Sequence, residues 1–294
     1  MGGPSWHGLI AAFAIVASAA AAADPGEPEP FPGVVALRVE SDLFASGSKP
    51  AARSLTLFHE GVAWDFLELP VACEKGRSAA TEEDEMQLVE IVLHDPARER
   101  VVVIDPVRHR KTEIATVQLK RLGASLAKWA QASDDRLVRW AGGPDFDDDL
   151  REEEGRLELA GPRARYAVTH VAASSPEAAQ NYRQFADTAI MLKALLQPGG
   201  IPPFPRLAIN HRLQEAGAIP AEVTLEIEQR GVSFGAGPTR LRGVHRSHPR
   251  LLLEDLERIA EARGHLAAAE QVELALFAAE QTDAVAPPRH DDDE

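Results

Sequence analysis

Short runs of valine, isoleucine and leucine, separated by proline, aspartate and glycine, are the feature that most limits how this chain can fold. Residues 87–119 carry three such runs in quick succession, QLVEIVL, RVVVI and TEIATVQL. Runs of this length, bounded by turn residues, are typical of β-strands. The region therefore predicts antiparallel strands that follow one another as a β-meander.

The connections between these runs repeat an Asp-Pro-x-Arg signature. It occurs at Asp95-Pro96-Ala97-Arg98 and again at Asp105-Pro106-Val107-Arg108. Aspartate followed by proline suits the first two positions of a type I turn, because the carboxylate accepts from backbone N–H groups and the ring fixes φ. Successive turns of a meander lie at opposite ends of the strand between them. We therefore predict two separate turns, with Arg98 and Arg108 held apart, and no shared anion site.

The rest of the chain alternates between strand and helix periodicity. RSLTLF and VAWDFL flank His59-Glu60-Gly61 and predict a hairpin, and the acidic stretch 144–154 predicts a solvated loop. Further strand patterns are 155–161, 163–171, 222–228 and 239–246, and helical patterns are 119–133, 176–197, 203–217, 249–263 and 265–281. We expect an α+β fold, in which a curved antiparallel sheet, a meander of about eight short strands, packs against amphipathic helices.

The N-terminus resembles an export signal. The apolar run LIAAFAIV is followed by a small-residue tract and then by a polar, proline-rich segment. We predict a signal peptide at 1–23 and an exported protein, periplasmic or extracellular, with no stable membrane insertion after cleavage. The alternative is an uncleaved anchor. A Pro-rich leader at 24–33 and a disordered acidic tail at 282–294 are expected to flank a single α+β domain, 34–281, with a subdivision near 198–204.

Composition excludes several classes of function. The formal net charge of −15 opposes binding to nucleic acid or to anionic lipid surfaces, because either would require a concentrated basic face. Cys73 is the single cysteine, so no intramolecular disulfide can form. The chain has no nucleophile elbow, no Walker loop and no dinucleotide fingerprint, and we predict no cofactor.

Two sets of side chains are candidates for a site. Trp64, Phe66, Tyr182 and Phe185 are the candidates for lining a ligand cavity, and core packing is the alternative for each of them. His211, His245 and His248 are the candidates for a metal site, against a surface or capping role.

RSLTLFHEGVAWDFL and EIVLHDPARERVVVIDPVRHRKTEI resemble, loosely, strands of the bacterial outer-membrane lipoprotein carrier and receptor family. The resemblance implies an incomplete β-barrel that closes over helices and holds acyl chains. It carries no functional residue onto this chain.

These observations favour an exported, non-enzymatic binding protein that holds an apolar or lipid ligand, or an envelope partner, on its curved sheet. Two alternatives stay open. One is a metal-dependent envelope hydrolase that uses the three histidines, and the other is a structural or interaction module without a ligand.

Overall fold

The computed structural model describes residues 36–45, 47–71, 85–143, 145–197, 199–228 and 239–285. These residues form one large sheet of twelve strands and six helices. The expected α+β class is confirmed. The sheet has more strands than the eight or so expected: β7 lies in the stretch predicted to be a solvated loop, β12 lies in the range predicted to be helix, and β1 was not predicted.

The strands are β1 (Leu37–Phe44), β2 (Ala52–His59), β3 (Val62–Pro70), β4 (Met86–Asp95), β5 (Arg100–Asp105), β6 (Arg110–Ala115), β7 (Leu150–Glu153), β8 (Arg156–Ala160), β9 (Ala164–Ala172), β10 (Ala218–Ile227), β11 (Thr239–His248) and β12 (Glu270–Gln271). The helices are α1 (Thr116–Gln131), α2 (Arg136–Ala141), α3 (Pro176–Leu196), α4 (Phe204–Glu215), α5 (Leu253–Ala268) and α6 (Leu274–Val285).

The sheet consists of two meanders joined edge to edge. Its strand order is β12-β6-β5-β4-β3-β2-β1-β11-β10-β9-β8-β7. The first meander runs from β1 to β6 and the second from β7 to β11, and the antiparallel pairing of β1 with β11 joins them. Among the described strands, only β12 and β6 pair in parallel.

The two faces of the sheet are covered differently. The inner face, as we name it, packs against α1, α2, α3, α4 and α6, with Val92 of β4 and Leu192 of α3 in one of its apolar clusters. The outer face is covered by α5 over β2 to β5, where Ile259 packs with Phe66. Since successive side chains of a strand alternate between faces, β2 to β5 contribute to both layers.

The longest helix, α3, follows the sequence prediction closely. Ser175 caps it, because its side chain accepts a hydrogen bond from the Ala178 N–H at 3.1 Å, and Pro176 occupies the first turn. The predicted stripe is buried throughout: Ala178, Tyr182, Phe185, Ala189, Leu192 and Leu196. The Phe185 ring meets Phe58 of β2 edge to face at 5.8 Å between centroids, which fixes the helix against the inner face.

The two Asp-Pro-x-Arg signatures form separate turns, as predicted. Asp95 accepts from the Arg98 N–H at 3.2 Å and pairs with the Arg98 guanidinium at 2.7 Å. Asp105 accepts from the Arg108 N–H at 2.8 Å and pairs with its guanidinium at 2.6 Å. The turns lie at opposite ends of β5, so each arginine serves its own turn.

Several predicted boundaries are wrong. The run TEIATVQL is strand only as far as Ala115, after which α1 begins. Part of the acidic stretch is strand β7, because it pairs with β8 through a turn at Gly155. The expected helix start at Pro249 lies four residues early, since α5 begins at Leu253 and continues to Ala268. The next helix accordingly begins at Leu274, and it continues to Val285, into the range expected to be tail.

The predicted signal peptide, the predicted leader and Cys73 lie outside the described residues, as does most of the predicted acidic tail. Within the described ranges, no helix combines the length and the apolarity needed to span a bilayer.

A substitution at Leu192 tests how much of the free energy of unfolding depends on the packing of α3. Its side chain is 0% exposed in the cluster that α3 forms with β4 and β5. Leu192→Ala is expected to lower the free energy of unfolding by about 2–5 kcal/mol, because it removes apolar contacts and leaves a cavity. Leu253→Ala is the control, since Leu253 is 75% exposed, and should change stability by less than about 0.5 kcal/mol. Equal losses in urea unfolding of both variants would contradict this packing.

Candidate functional site

A row of polar side chains crosses the inner face of the sheet. It consists of His245 on β11, Ser41 on β1, Ser54 and Thr56 on β2, and Asp65 on β3. Ser41 lies opposite His245 in one ladder and opposite Ser54 in the other, and Thr56 lies opposite Asp65. We call this row the polar belt. It separates a cluster that contains Leu43, Ala52 and Leu67 from one that contains Leu37, Phe58 and Ala63.

Asp65 is the charged centre of the belt. One carboxylate oxygen, Oδ1, accepts from the Thr56 hydroxyl at 2.6 Å and from the Ser54 hydroxyl at 3.0 Å. The side chain is 1% exposed. Burial raises the pKa of Asp65 to about 6, opposed by the two hydroxyl hydrogen bonds and reinforced by the nearby charge of Glu90.

A buried ion pair ties α3 to the sheet beside Asp65. Lys193 Nζ donates to Glu90 Oε1 at 2.7 Å, and both side chains are 3% exposed. The pair supplies one charge from β4 and one from α3. Its distance from bulk water makes the loss of either partner costly.

The helical layer presents a second buried charge, Arg206 of α4. Burial lowers the pKa of Arg206 to about 10, and its neighbours Tyr182 and Tyr166 counteract this. Tyr182 lies within electrostatic reach of both Arg206 and Asp65. Burial raises the pKa of each tyrosine to about 12, so both hydroxyls stay protonated at neutral pH. Tyr182 therefore interacts electrostatically both with Arg206 of α4 and with Asp65 of the belt.

Several buried polar atoms in this layer have no hydrogen-bond partner among the described residues. They belong to sheet and helices alike: Asp65 Oδ2, His94 Nδ1, His245 Nε2, Asn181 Oδ1, Asn210 Oδ1 and Asn210 Nδ2. Asn181 precedes Tyr182 on α3, and Asn210 lies one turn after Arg206 on α4. Buried polar groups of folded proteins are nearly always hydrogen-bonded to protein or to water. Ordered water or a bound molecule can satisfy such atoms.

Ser41 and His245 form the one hydroxyl–imidazole pair of the belt, at 2.8 Å between Oγ and Nδ1. A nucleophilic serine needs a base that a third group holds in place. His245 Nε2 has no such group within the described chain. Burial, with the nearby Arg206 charge, lowers the pKa of His245 to about 3. The pair is therefore better suited to hydrogen bonding than to proton transfer at neutral pH.

The four aromatic residues proposed to line a cavity are all buried, but they lie on two faces. Trp64 and Phe66 pack under α5 on the outer face. Tyr182 and Phe185 belong to α3 on the inner face, in a cluster that does not include the other two. The four side chains therefore do not line one cavity. Of the four, Tyr182 lies within electrostatic reach of Asp65 in the polar belt.

The three histidines proposed as metal ligands are also separated. His245 points to the inner face and His248 to the outer face, since they differ by an odd number of positions on β11. His211 is half exposed on α4, 3.4 Å from Glu215. Across the described ranges, no three or more His, Cys, Asp or Glu side chains are grouped so as to hold a metal ion. The described structure therefore does not bring these three histidines together.

The outer face carries a shallow groove of about 180 Å³ over β8 to β11. Its lining includes Arg156, Arg165 and Arg240 and two glutamates, Glu222 and Glu226. Arg240 lies 3.5 Å from Glu226, Glu222 pairs with Arg242 at 2.9 Å, and Arg156 and Arg165 both pair with Glu158.

Comparison with known proteins adds no relative. No protein-family model matches the chain, and no curated protein matches it. The geometry of the belt is therefore the basis for any functional proposal.

The pH dependence of the protein's stability tests the burial of Asp65 in the belt. A folded pKa of about 6, above the usual value near 3.9, means that its contribution to stability is fully present below pH 4 and is lost as pH rises through 6. Two pKa units correspond to about 3 kcal/mol. Asp65→Asn keeps the Oδ1 acceptor and removes the titration. We expect the variant to gain about 3 kcal/mol over the wild type between pH 4 and pH 7, measured by urea unfolding.

The exposed Asp148→Asn is the matched control, because it removes one negative charge from the same acidic protein without touching the belt. A difference between Asp65→Asn and wild type that stays constant with pH would contradict the assignment.

The Glu90–Lys193 pair can be tested by a double-mutant cycle. Lys193→Met leaves a buried carboxylate without its partner and is expected to cost about 3–5 kcal/mol of unfolding free energy. Glu90→Gln combined with Lys193→Met removes both charges, so most of that loss should be recovered. Additive losses in chemical denaturation would show that the two charges are not coupled.

Proposed function

We propose that the protein is a non-catalytic binding protein that encloses a ligand between the inner face of its sheet and the helices α3 and α4. The observation that carries the proposal is a pair of buried belt atoms without a hydrogen-bond partner among the described residues, Asp65 Oδ2 and His245 Nε2. Asn181 of α3 and Asn210 of α4 also carry buried atoms without such a partner. A bound molecule with hydrogen-bonding groups would satisfy these atoms.

Leaving buried polar atoms without partners costs free energy of folding. A buried donor or acceptor without a partner costs about 1–3 kcal/mol. An interior needed only for stability would contain apolar side chains at these positions, as the neighbouring clusters do. Deviations from the rule that buried polar groups are paired are typical of functional sites. The belt therefore supports binding better than a purely structural role.

The surroundings of the belt indicate an amphipathic ligand. Apolar clusters lie on both sides of it, one containing Phe58 and Phe185 and the other containing Leu67 and Leu213. A molecule with a polar group at the belt and an apolar body along one cluster would match both environments. Such a ligand is a lipid, as the sequence suggests, and its head group must also be polar.

Entry of such a ligand requires α3 and α4 to move away from the sheet, because the partnerless atoms are closed off from solvent. The polar belt lowers the free-energy cost of this separation, since part of the surface that becomes wet is already polar. Export, and the likeness to lipoprotein carriers, are further parts of the proposal.

An interaction module without a ligand is the second candidate. One specific observation favours it: Leu252, Leu253 and Leu256 at the start of α5 are all substantially exposed. Neighbouring exposed leucines are typical of contact surfaces for proteins. This candidate does not account for the belt.

Extraction of bound molecules tests the proposal. Protein purified without detergent or denaturant is extracted with organic solvent, and the extract is analysed by mass spectrometry. We expect about one molecule of a single lipid class per chain. Protein that has been unfolded, washed and refolded is the blank.

Asn210→Leu sharpens this test because it removes two partnerless atoms from a side chain that is 2% exposed. It should reduce the recovered ligand several-fold while leaving the ligand-free protein as stable as wild type or more so. His211→Gln, at the neighbouring half-exposed position, should change neither quantity. A wild-type extract no richer than the blank would rule out an enclosed ligand.

A further inference from the structure

We propose that the groove over β8 to β11, named here the outer groove, binds a small hydroxylated carboxylate of the kind that a sugar acid represents. The outer groove lies on the face of the sheet opposite to the polar belt, so this site is separate from the enclosed ligand. Its basis is the register that forms the groove, the charges of the lining and the hydrogen bonds that those charges can still make.

The outer groove forms because small side chains lie between long ones. Ala167 of β9 and Thr224 of β10 lie opposite each other in the ladder, and Thr224 is 7% exposed at the floor. Long charged side chains surround this pair in the lining of the groove: Arg156, Arg165, Glu222, Glu226 and Arg240. The volume of about 180 Å³ is below the roughly 300–1,000 Å³ of pockets for drug-sized molecules, so it suits a smaller ligand.

The charged lining and its ion-pair partners carry one more positive charge than negative charges. They comprise four guanidinium groups and three carboxylates, on Arg156, Arg165, Arg240, Arg242, Glu158, Glu222 and Glu226. The neighbouring strand β7 adds one charge of each sign to this face, with Arg151 opposite Glu158 and Glu153 opposite Arg156. A ligand with a single anionic group would therefore balance the charges of the groove.

The surplus positive charge lies at Arg156 and Arg165, which share one carboxylate. Arg156 donates to Oε1 of Glu158 and Arg165 donates to Oε2. A guanidinium has five N–H donors, so each arginine keeps further donors for a ligand. The two arginine side chains are 47% and 55% exposed, and ion pairs that are this exposed contribute little to stability. A ligand carboxylate can therefore bind both guanidinium groups at small cost to the fold.

The β10 side of the groove accepts hydrogen bonds. Glu226 lies 3.5 Å from Arg240, which is longer than the roughly 2.7–2.9 Å of a charge-assisted hydrogen bond, so its oxygens can accept from a ligand hydroxyl. Glu222 is held by Arg242 at 2.9 Å, and the Arg242 guanidinium lies 5.4 Å from the centre of the Phe44 ring. Hydroxyl groups beside the carboxylate match these acceptors, whereas a second anionic group would be repelled by them.

The experiment uses D-glucuronate as the probe. D-glucose is the uncharged comparison with the same ring, and acetate is the carboxylate without hydroxyl groups. Each is titrated into ¹⁵N-labelled full-length protein at pH 7.5 and constant low ionic strength, because salt screens exposed charges. Amide chemical shifts give both the affinity and the strands that respond.

We expect glucuronate to shift amides of β8 to β11 and to bind at least tenfold more tightly than glucose or acetate. Arg165→Gln removes the surplus positive charge and should weaken glucuronate binding about tenfold. Glu158→Gln removes the carboxylate that competes for Arg156 and Arg165, so it should tighten binding several-fold. Arg250→Gln removes an exposed positive charge outside the lining and should leave the affinity unchanged.

The opposite signs of the two groove variants separate a binding site from a structural role. Weaker binding in both Glu158→Gln and Arg165→Gln overturns the proposal, as does equal binding of glucuronate, glucose and acetate. Amide shifts confined to other strands, or no response to glucuronate, overturn it as well. These outcomes are independent of the lipid extraction, since the groove and the belt lie on opposite faces of the sheet.

Discussion

The pairing of β1 with β11 is the contact on which the rest of the structure depends. Ser41 and His245 lie opposite each other in this ladder although they are 204 residues apart in the chain. Closing so long a loop costs conformational entropy that only the joined sheet and its helical cover can offset. Without this ladder the two meanders would be separate sheets, and the polar belt would end at Ser41.

The sequence predicts the local parts of this fold better than the way they are joined. Asp95 and Asp105 form the turns expected of Asp-Pro, and Ser175 caps α3, because these outcomes depend on neighbouring residues alone. The acidic residues of β7 predict a loop because they have no apolar alternation, yet β8 supplies the backbone partners that make them a strand. No local pattern reveals that β1 pairs with β11, since the choice of partner is a property of the whole sheet.

The site is harder to predict than the fold, because none of its residues forms a recognisable motif within its own segment of the sequence. Asp65 interrupts the apolar run VAWDFL, and Lys193 falls between leucines on a helix that is otherwise apolar on that side. Polar residues within apolar runs are thus the sequence signal for this site. The residues predicted from the sequence were aromatic residues and histidines instead. Arg206 and Asn210, four residues apart on α4, are a further signal that only the packing of the helix makes meaningful. Burial of a polar residue has meaning only once its surroundings are known.

A polar belt inside an apolar core also has a structural consequence that is independent of any ligand. Hydrogen bonds from Ser54 and Thr56 to Asp65 hold only in one register of β2 against β3, since a shift of β2 by one residue would turn Ser54 and Thr56 to the outer face, away from Asp65. The ion pair between Glu90 and Lys193 similarly fixes where α3 lies along the sheet. These bonds account for Ser54, Thr56 and one oxygen of Asp65, but not for Asn181 or Asn210 on the helices. Register therefore explains the sheet side of the belt but not the buried amide groups of the helices.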